Sequence, residues 1–252
     1  MRLLRALALT SLALTFVPAA HAGENTRSVE CAVVTMTTSD AVTLTGDHCR
    51  SGKPGSPAVV LLHMIPPHHD RTNYPEEFRR KLADKGLEVL SIDRRGAGDS
   101  GGVAKEAYTG PNGVKDVQAA LDWLAAHTDA DMSRFGCVGA SNGTTSCLDH
   151  TVAAAKDDAV IGASALVFLT GGTYTEAQNA LAGSAAASLP ILFTFNAKEA
   201  AWSSKQESVE RTGAWQWTSY TPGGHGTRAF ASNPEAMDDV ANFLAASLRT
   251  SK

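Results

Sequence analysis

Two stretches of the 252-residue chain hold a serine with a glycine two positions away on each side: Gly98-Asp99-Ser100-Gly101-Gly102 and Gly139-Ala140-Ser141-Asn142-Gly143. Small residues there let the backbone turn sharply enough to present a hydroxyl. A serine hydroxyl is a weak nucleophile near neutral pH. It needs a base, and an imidazole base needs a carboxylate to orient it. The chemistry on offer is acyl transfer. Context separates the two serines. Phe135-Gly136-Cys137-Val138 reads as a strand running into Ser141, and a helix-like run opens at Asn142. Ser100 lies eight residues beyond a strand ending at Ile92, and Val103 to Gly110 has no apolar helical period. Ser141 is therefore the expected nucleophile, and Ser100 the residue of a turn.

His225, in Gly223-Gly224-His225-Gly226, follows the strand-like run Trp215 to Tyr220. A glycine-rich loop at a strand end can carry an imidazole over the neighbouring strand tips, so His225 is the expected base. His48, His127 and His150 read as surface or packing residues. The carboxylate is expected after the strand Ile191 to Phe195, where Asn196-Ala197-Lys198-Glu199-Ala200-Ala201 has Glu199 as its only acid. Glu207 is the second choice, and a plain ion pair of Glu199 with Lys198 or Lys205 is the alternative. An oxyanion intermediate needs two backbone N–H donors. Asn142, following the nucleophile, supplies one, and Met64, after the strand ending at Leu62, the other. His63, His68 and Trp202 are expected substrate contacts, and Tyr108 and Tyr174 lie on loops that shape the pocket. Adjacent histidines on one loop seldom converge on an ion without further ligands, so His68-His69-Asp70 is read as a polar rim rather than a metal site. No cofactor or metal is implied.

These side chains need a scaffold that gathers distant segments. Ala58 to Leu62 is a continuous apolar run, as in a strand covered on both faces. Strands are also expected over Leu87–Ile92, Arg134–Val138, Ala163–Leu169, Ile191–Phe195 and Trp215–Tyr220. Helices are expected over Tyr74–Lys85, from Pro111, Asn142–Ala154, Thr175–Ser188, Ser203–Arg211 and Pro234–Leu248. Alternation of strand and helix implies a mostly parallel sheet with helices on both faces. Trp215 and Trp217 share one strand face and read as core. There is no internal repeat or low-complexity linker, so residues 23–252 read as one domain.

Residues 1–22 read as a signal peptide. Arg2 and Arg5 precede an apolar run, Ala6 to Val17, and Ala20-His21-Ala22 is a small-residue cleavage pattern. The destination is then periplasmic or extracellular, and the mature chain has no membrane span. With 43% hydrophobic and 19% charged residues the composition is globular rather than disordered. A net charge of −4 offers no basic surface for nucleic acid. The partner implied is a small acyl compound, with no signal for or against oligomers. Export makes disulfides available. Cys31 and Cys49 lie nine residues either side of Asp40, at the centre of an expected antiparallel hairpin, so they face each other and should be bridged. Cys137 and Cys147 fall on a strand and on the following helix, about 10 Å apart for packed layers, and read as buried small hydrophobes.

Taken together, Leu61-Leu62-His63-Met64, Asp93-Arg94-Arg95-Gly96-Ala97-Gly98-Asp99-Ser100, Gly139 to Gly143, Pro190 to Glu199 and Gly223 to Gly226 resemble an α/β-hydrolase, nearest the dienelactone hydrolase-like group. The resemblance runs from about Val59 to Phe243. It implies an eight-stranded sheet, a Ser141–Glu199–His225 triad and an oxyanion hole at Met64 and Asn142. Dienelactone hydrolases proper use cysteine where this chain has Ser141, and the family usually has Asp where it has Glu199. The short segment from Leu169 to Pro190 leaves no room for a large lid. The reading is a serine hydrolase acting on a carboxylic ester, with peptidase and thioesterase activity, or a non-catalytic binding protein of the same fold, as alternatives.

Overall fold

Long apolar runs set the centre of the molecule. A computed structural model describes residues 29–172 and 174–249. The signal peptide expected at residues 1–22 lies outside them. The strands are β1 (Cys31–Thr37), β2 (Thr43–Cys49), β3 (Pro57–Leu62), β4 (Glu88–Ile92), β5 (Asp131–Ala140), β6 (Ala165–Leu169), β7 (Ile191–Asn196) and β8 (Trp215–Tyr220). The helices are α1 (Glu76–Asp84), α2 (Pro111–His127), α3 (Gly143–Ala154), α4 (Glu176–Asn179), α5 (Ala201–Lys205), α6 (Ala229–Ser232) and α7 (Glu235–Ser247). All eight strands form one sheet in the order β1-β2-β4-β3-β5-β6-β7-β8. β2 pairs antiparallel with both β1 and β4, and the other neighbours are parallel. This is the mostly parallel sheet with an antiparallel N-terminal hairpin that the sequence led us to expect.

Every residue of β4 and β6, and all of β3 after Pro57, is buried. Successive side chains of a strand point to opposite faces. Val60 and Leu62 accordingly join Val117, Leu121 and Leu148 of α2 and α3 in one apolar layer. Val59 and Leu61 join Phe78, Leu82, Val240 and Leu244 of α1 and α7 in the other. Trp215 and Trp217 pack in the first layer, the latter stacked on Phe193. Among the described residues no helix is long and apolar enough to cross a membrane.

Two expected helices are shorter than their sequence pattern. Residues 175–188 break into α4 and two single 3-10 turns, because the Ser184 side chain accepts the Ala186 N–H and caps a new turn. The run expected from Ser203 to Arg211 stops soon after α5. There the Arg211 guanidinium donates to the carbonyls of Gln206, Glu207 and Val209 and lies over the Trp217 ring, which ends the helix.

Cys31 and Cys49 are register partners of β1 and β2 and are bridged. The reading of Cys137 and Cys147 as unlinked is corrected: they form a second disulfide, with Cα atoms 5.7 Å apart. Ordinary layer spacing does not apply at this junction. A Cβ on Gly139 would lie 2.5 Å from the Thr144 backbone, so the start of α3 rests directly on β5. The bridge closes a short loop that contains Ser141. Closing a loop of this length withholds roughly 2.5–3 kcal/mol of entropy from the unfolded chain. The Cys137→Ala/Cys147→Ala double variant should lose about that much in urea unfolding, and an unchanged midpoint would count against a stabilising bridge.

Candidate active site

Ser141 sits between β5 and α3 at φ +49°, in the left-handed region that residues with a Cβ rarely adopt. The turn is tight because both flanking glycines are needed. A Cβ on Gly143 would lie 2.3 Å from the Leu62 carbonyl oxygen, much as one on Gly139 would meet α3. The Ser141 N–H donates to the Leu169 carbonyl at the end of β6. The hydroxyl is thereby held above the carboxyl ends of the parallel strands, where open α/β sheets carry their sites.

The loops after β6, β7 and β8 meet there. Ser141 Oγ is 2.6 Å from His225 Nε2, the distance of a hydroxyl donating to an imidazole nitrogen. His225 Nδ1 is 2.8 Å from Glu199 Oε1. Glu199 ends a single turn, residues 197–199, directly beyond β7. Its Oε2 accepts from Asn196 Nδ2, and Asn196 Oδ1 accepts the Lys198 N–H at 2.9 Å. Glu199 makes no ion pair with Lys198 or Lys205 among the described residues. The His225 loop is fixed by the Gly226 N–H donating to Thr170 Oγ1 at 3.0 Å. Gly223 packs so closely that a Cβ there would lie 2.2 Å from Asn196 Cβ. Asn196 and Thr170 carried no motif to single them out. Their only sequence signal is a short polar residue at a strand's carboxyl end.

The backbone N–H groups of Met64 and Asn142 donate to no acceptor among the described residues. Ser141 is 7% exposed and the Tyr174 hydroxyl lies 3.4 Å from its Oγ, while Tyr174 itself is 43% exposed. His68 is exposed on the loop that follows Met64.

Two expected substrate contacts are corrected. His63 is fully buried, with Nδ1 2.7 Å from the Met64 carbonyl and Nε2 accepting the Arg94 N–H at 2.9 Å. Both ring nitrogens are used internally, so the ring has nothing left for a ligand. Burial, and then the Arg94 charge, push its pKa down to about 3, so it is neutral. Trp202 is a core residue. Its ring packs on Phe168 and Phe193 and its indole N–H donates to the Gln178 carbonyl. Ser100, the other motif serine, is a turn residue: its hydroxyl donates to the Asp93 carbonyl and accepts the Thr45 N–H.

This combination of sheet and turn is matched at family level. The model of the X-Pro dipeptidyl-peptidase (S15) family matches residues 40–211, the larger part of the chain. The chain belongs to this family. The S15 match includes Ser141 and Glu199 and ends before His225. The esterase Pf2001 of Pyrococcus furiosus is similar in structure to this S15 chain. It is 18% identical, covering 88% of this chain and 93% of that one, with a TM-score of 0.66. The thermophilic carboxylesterase EstE1 from a metagenomic library is 17% identical over 87% and 90%, with a TM-score of 0.63. A predicted CIB-like hydrolase of Thermoplasma acidophilum is 13% identical over 86% and 99%, with a TM-score of 0.65. At such identities the likeness is one of fold. A comparison with curated proteins finds no match. The S15 protein is a serine hydrolase of the α/β-hydrolase fold.

Proposed function

We propose that this hydrolase is exported and cleaves a carboxylic ester of a small acyl compound through an acyl-enzyme. Ser141 Oγ attacks the ester carbonyl while its proton passes to His225 Nε2. The resulting oxyanion takes hydrogen bonds from the Met64 and Asn142 N–H groups. The tetrahedral species then collapses, and His225 returns the proton to the departing alcohol oxygen. Water, deprotonated by the same imidazole, releases the acid and restores Ser141. Glu199 holds the His225 ring in the tautomer that leaves Nε2 free to accept.

The observation that carries this reading is the unbroken chain from Ser141 Oγ through His225 to Glu199. The motif likeness to the dienelactone hydrolase-like group, and the lack of any long element between β6 and β7 among the described residues, favour a small substrate beside Tyr174, whose hydroxyl lies 3.4 Å from Ser141 Oγ. Two disulfides fit an oxidising destination and removal of residues 1–22. The matched family's name favours a second reading, release of Xaa-Pro dipeptides from a peptide.

A panel of short-chain nitrophenyl esters, an acyl thioester and an Xaa-Pro nitroanilide separates the readings on the mature protein. Ester turnover at the highest kcat/KM is expected. Turnover of the anilide alone would replace the ester reading with the peptidase one. Folded protein that turns over nothing and takes no fluorophosphonate would be a binding protein.

A further inference from the structure

Arg94 is fully buried, and no carboxylate lies within ion-pair distance of it among the described residues. The nearby acids are engaged elsewhere: Asp116 takes two hydrogen bonds from Arg95, and Asp149 accepts the Gly110 N–H. A buried cation with no direct ion-pair partner is costly, and proteins rarely retain one without a use. Burial lowers its pKa only to about 10, so the guanidinium remains charged at neutral pH.

One of its terminal nitrogens reaches both segments that carry the proposed oxyanion donors. Nη1 donates to Asn142 Oδ1 at 3.0 Å and to the His63 carbonyl at 3.5 Å. Nη2 donates to Ser146 Oγ at 2.9 Å and to the Ala107 carbonyl. The His63 carbonyl belongs to the same peptide unit as the Met64 N–H. A positive donor on that oxygen polarises the unit and strengthens its N–H as a donor. Asn142 is gripped at both ends of its amide, because Nδ2 donates to the Tyr108 carbonyl at 2.9 Å. One guanidinium therefore ties together the two segments that supply the donors.

We propose that Arg94 is the positioning residue of the oxyanion hole, holding the His63–Met64 peptide and Asn142 in register. This rests on the assignment of Ser141, Met64 and Asn142 above. The Asp-Arg-Arg-Gly run that contains Arg94 gave no hint of it, since the neighbouring Arg95 is paired conventionally with Asp116 and Asp40.

The test is kcat and KM for a short-chain nitrophenyl ester, per active site titrated with a fluorophosphonate. Arg94→Met is expected to lower kcat about 10–100-fold, somewhat less than deletion of a direct oxyanion donor, with KM little changed. Affinity for an arylboronic acid, which forms a tetrahedral adduct on the serine, should fall in proportion. Arg94→Lys keeps the charge but not the fork, and should lie between. If Arg94→Met does not fold, Ser146→Ala, which removes one acceptor of Nη2, carries the test with a loss of roughly threefold or more in kcat at constant KM. An unchanged kcat per titrated site, or a loss confined to KM, overturns the role of Arg94. Wild-type protein that takes no label at Ser141 overturns the underlying site assignment, and this role with it.

Discussion

Ser141→Ala is expected to abolish fluorophosphonate labelling and to cut turnover of the best ester by a factor of about 10⁴ or more. His225→Ala should cost nearly as much, and the double variant hardly more than either. The reason lies in the geometry. At 2.6 Å the imidazole is the only basic group touching Ser141 Oγ among the described residues. The Tyr174 hydroxyl is the other polar contact, at 3.4 Å. Without Ser141 there is no acyl-enzyme. Without His225 the hydroxyl keeps its proton. Each removal disables the same step, so the losses do not add. The measurement is kcat/KM on folded, monodisperse protein, with labelled peptides mapped by mass. Turnover within tenfold of wild type in Ser141→Ala would place the nucleophile elsewhere.

What the sequence revealed depends on how local each determinant is. The strands β3 and β6 announce themselves because burial on both faces requires unbroken apolar runs. Cys31 and Cys49 could be paired because a hairpin's register follows from its turn. The motif serines could be ranked because a nucleophile turn needs a strand before it and a helix after it. Other features are set by distances between elements that no periodicity encodes. Cys137 and Cys147 are bridged only because Gly139 brings α3 down onto β5. His63 and Trp202 look like pocket residues from their position beside strand ends. Yet the Arg94 N–H and the Gln178 carbonyl take up their polar atoms inside the protein. Arg94 was invisible as a site residue, since its partners come from three separate segments: Ala107, His63 and the start of α3. The same logic makes Asn196 informative once its partners are known.

Glu199→Gln is expected to lower kcat by about 10³–10⁴, the scale for a triad whose base is held in the wrong tautomer. Asn196 is what makes the amide so harmful here. Its Oδ1 accepts the Lys198 N–H, which fixes its Nδ2 as a donor towards Glu199 Oε2. On the other side the carboxylate accepts His225 Nδ1–H. A carboxylate can accept from both donors, whereas an amide has only one oxygen. A glutamine that turns its oxygen to His225 sets its NH2 against the NH2 of Asn196. Turned the other way, its NH2 faces Nδ1, and the ring must move its proton to Nε2, where it can no longer accept from Ser141. Adding Asn196→Asp supplies an acceptor for the glutamine NH2 and keeps an oxygen for the Lys198 N–H. The glutamine oxygen is then free to face Nδ1. The Glu199→Gln/Asn196→Asp double variant should therefore regain roughly tenfold or more in kcat over Glu199→Gln alone, about 1.4 kcal/mol, and the interaction in a double-mutant cycle is larger than that by whatever Asn196→Asp costs by itself. Asn196→Asp by itself sets a second carboxylate against Glu199 and should be slower than wild type, so the cycle crosses in sign. Additive effects, or a Glu199→Gln variant within a few-fold of wild type, would mean that a different carboxylate orients His225.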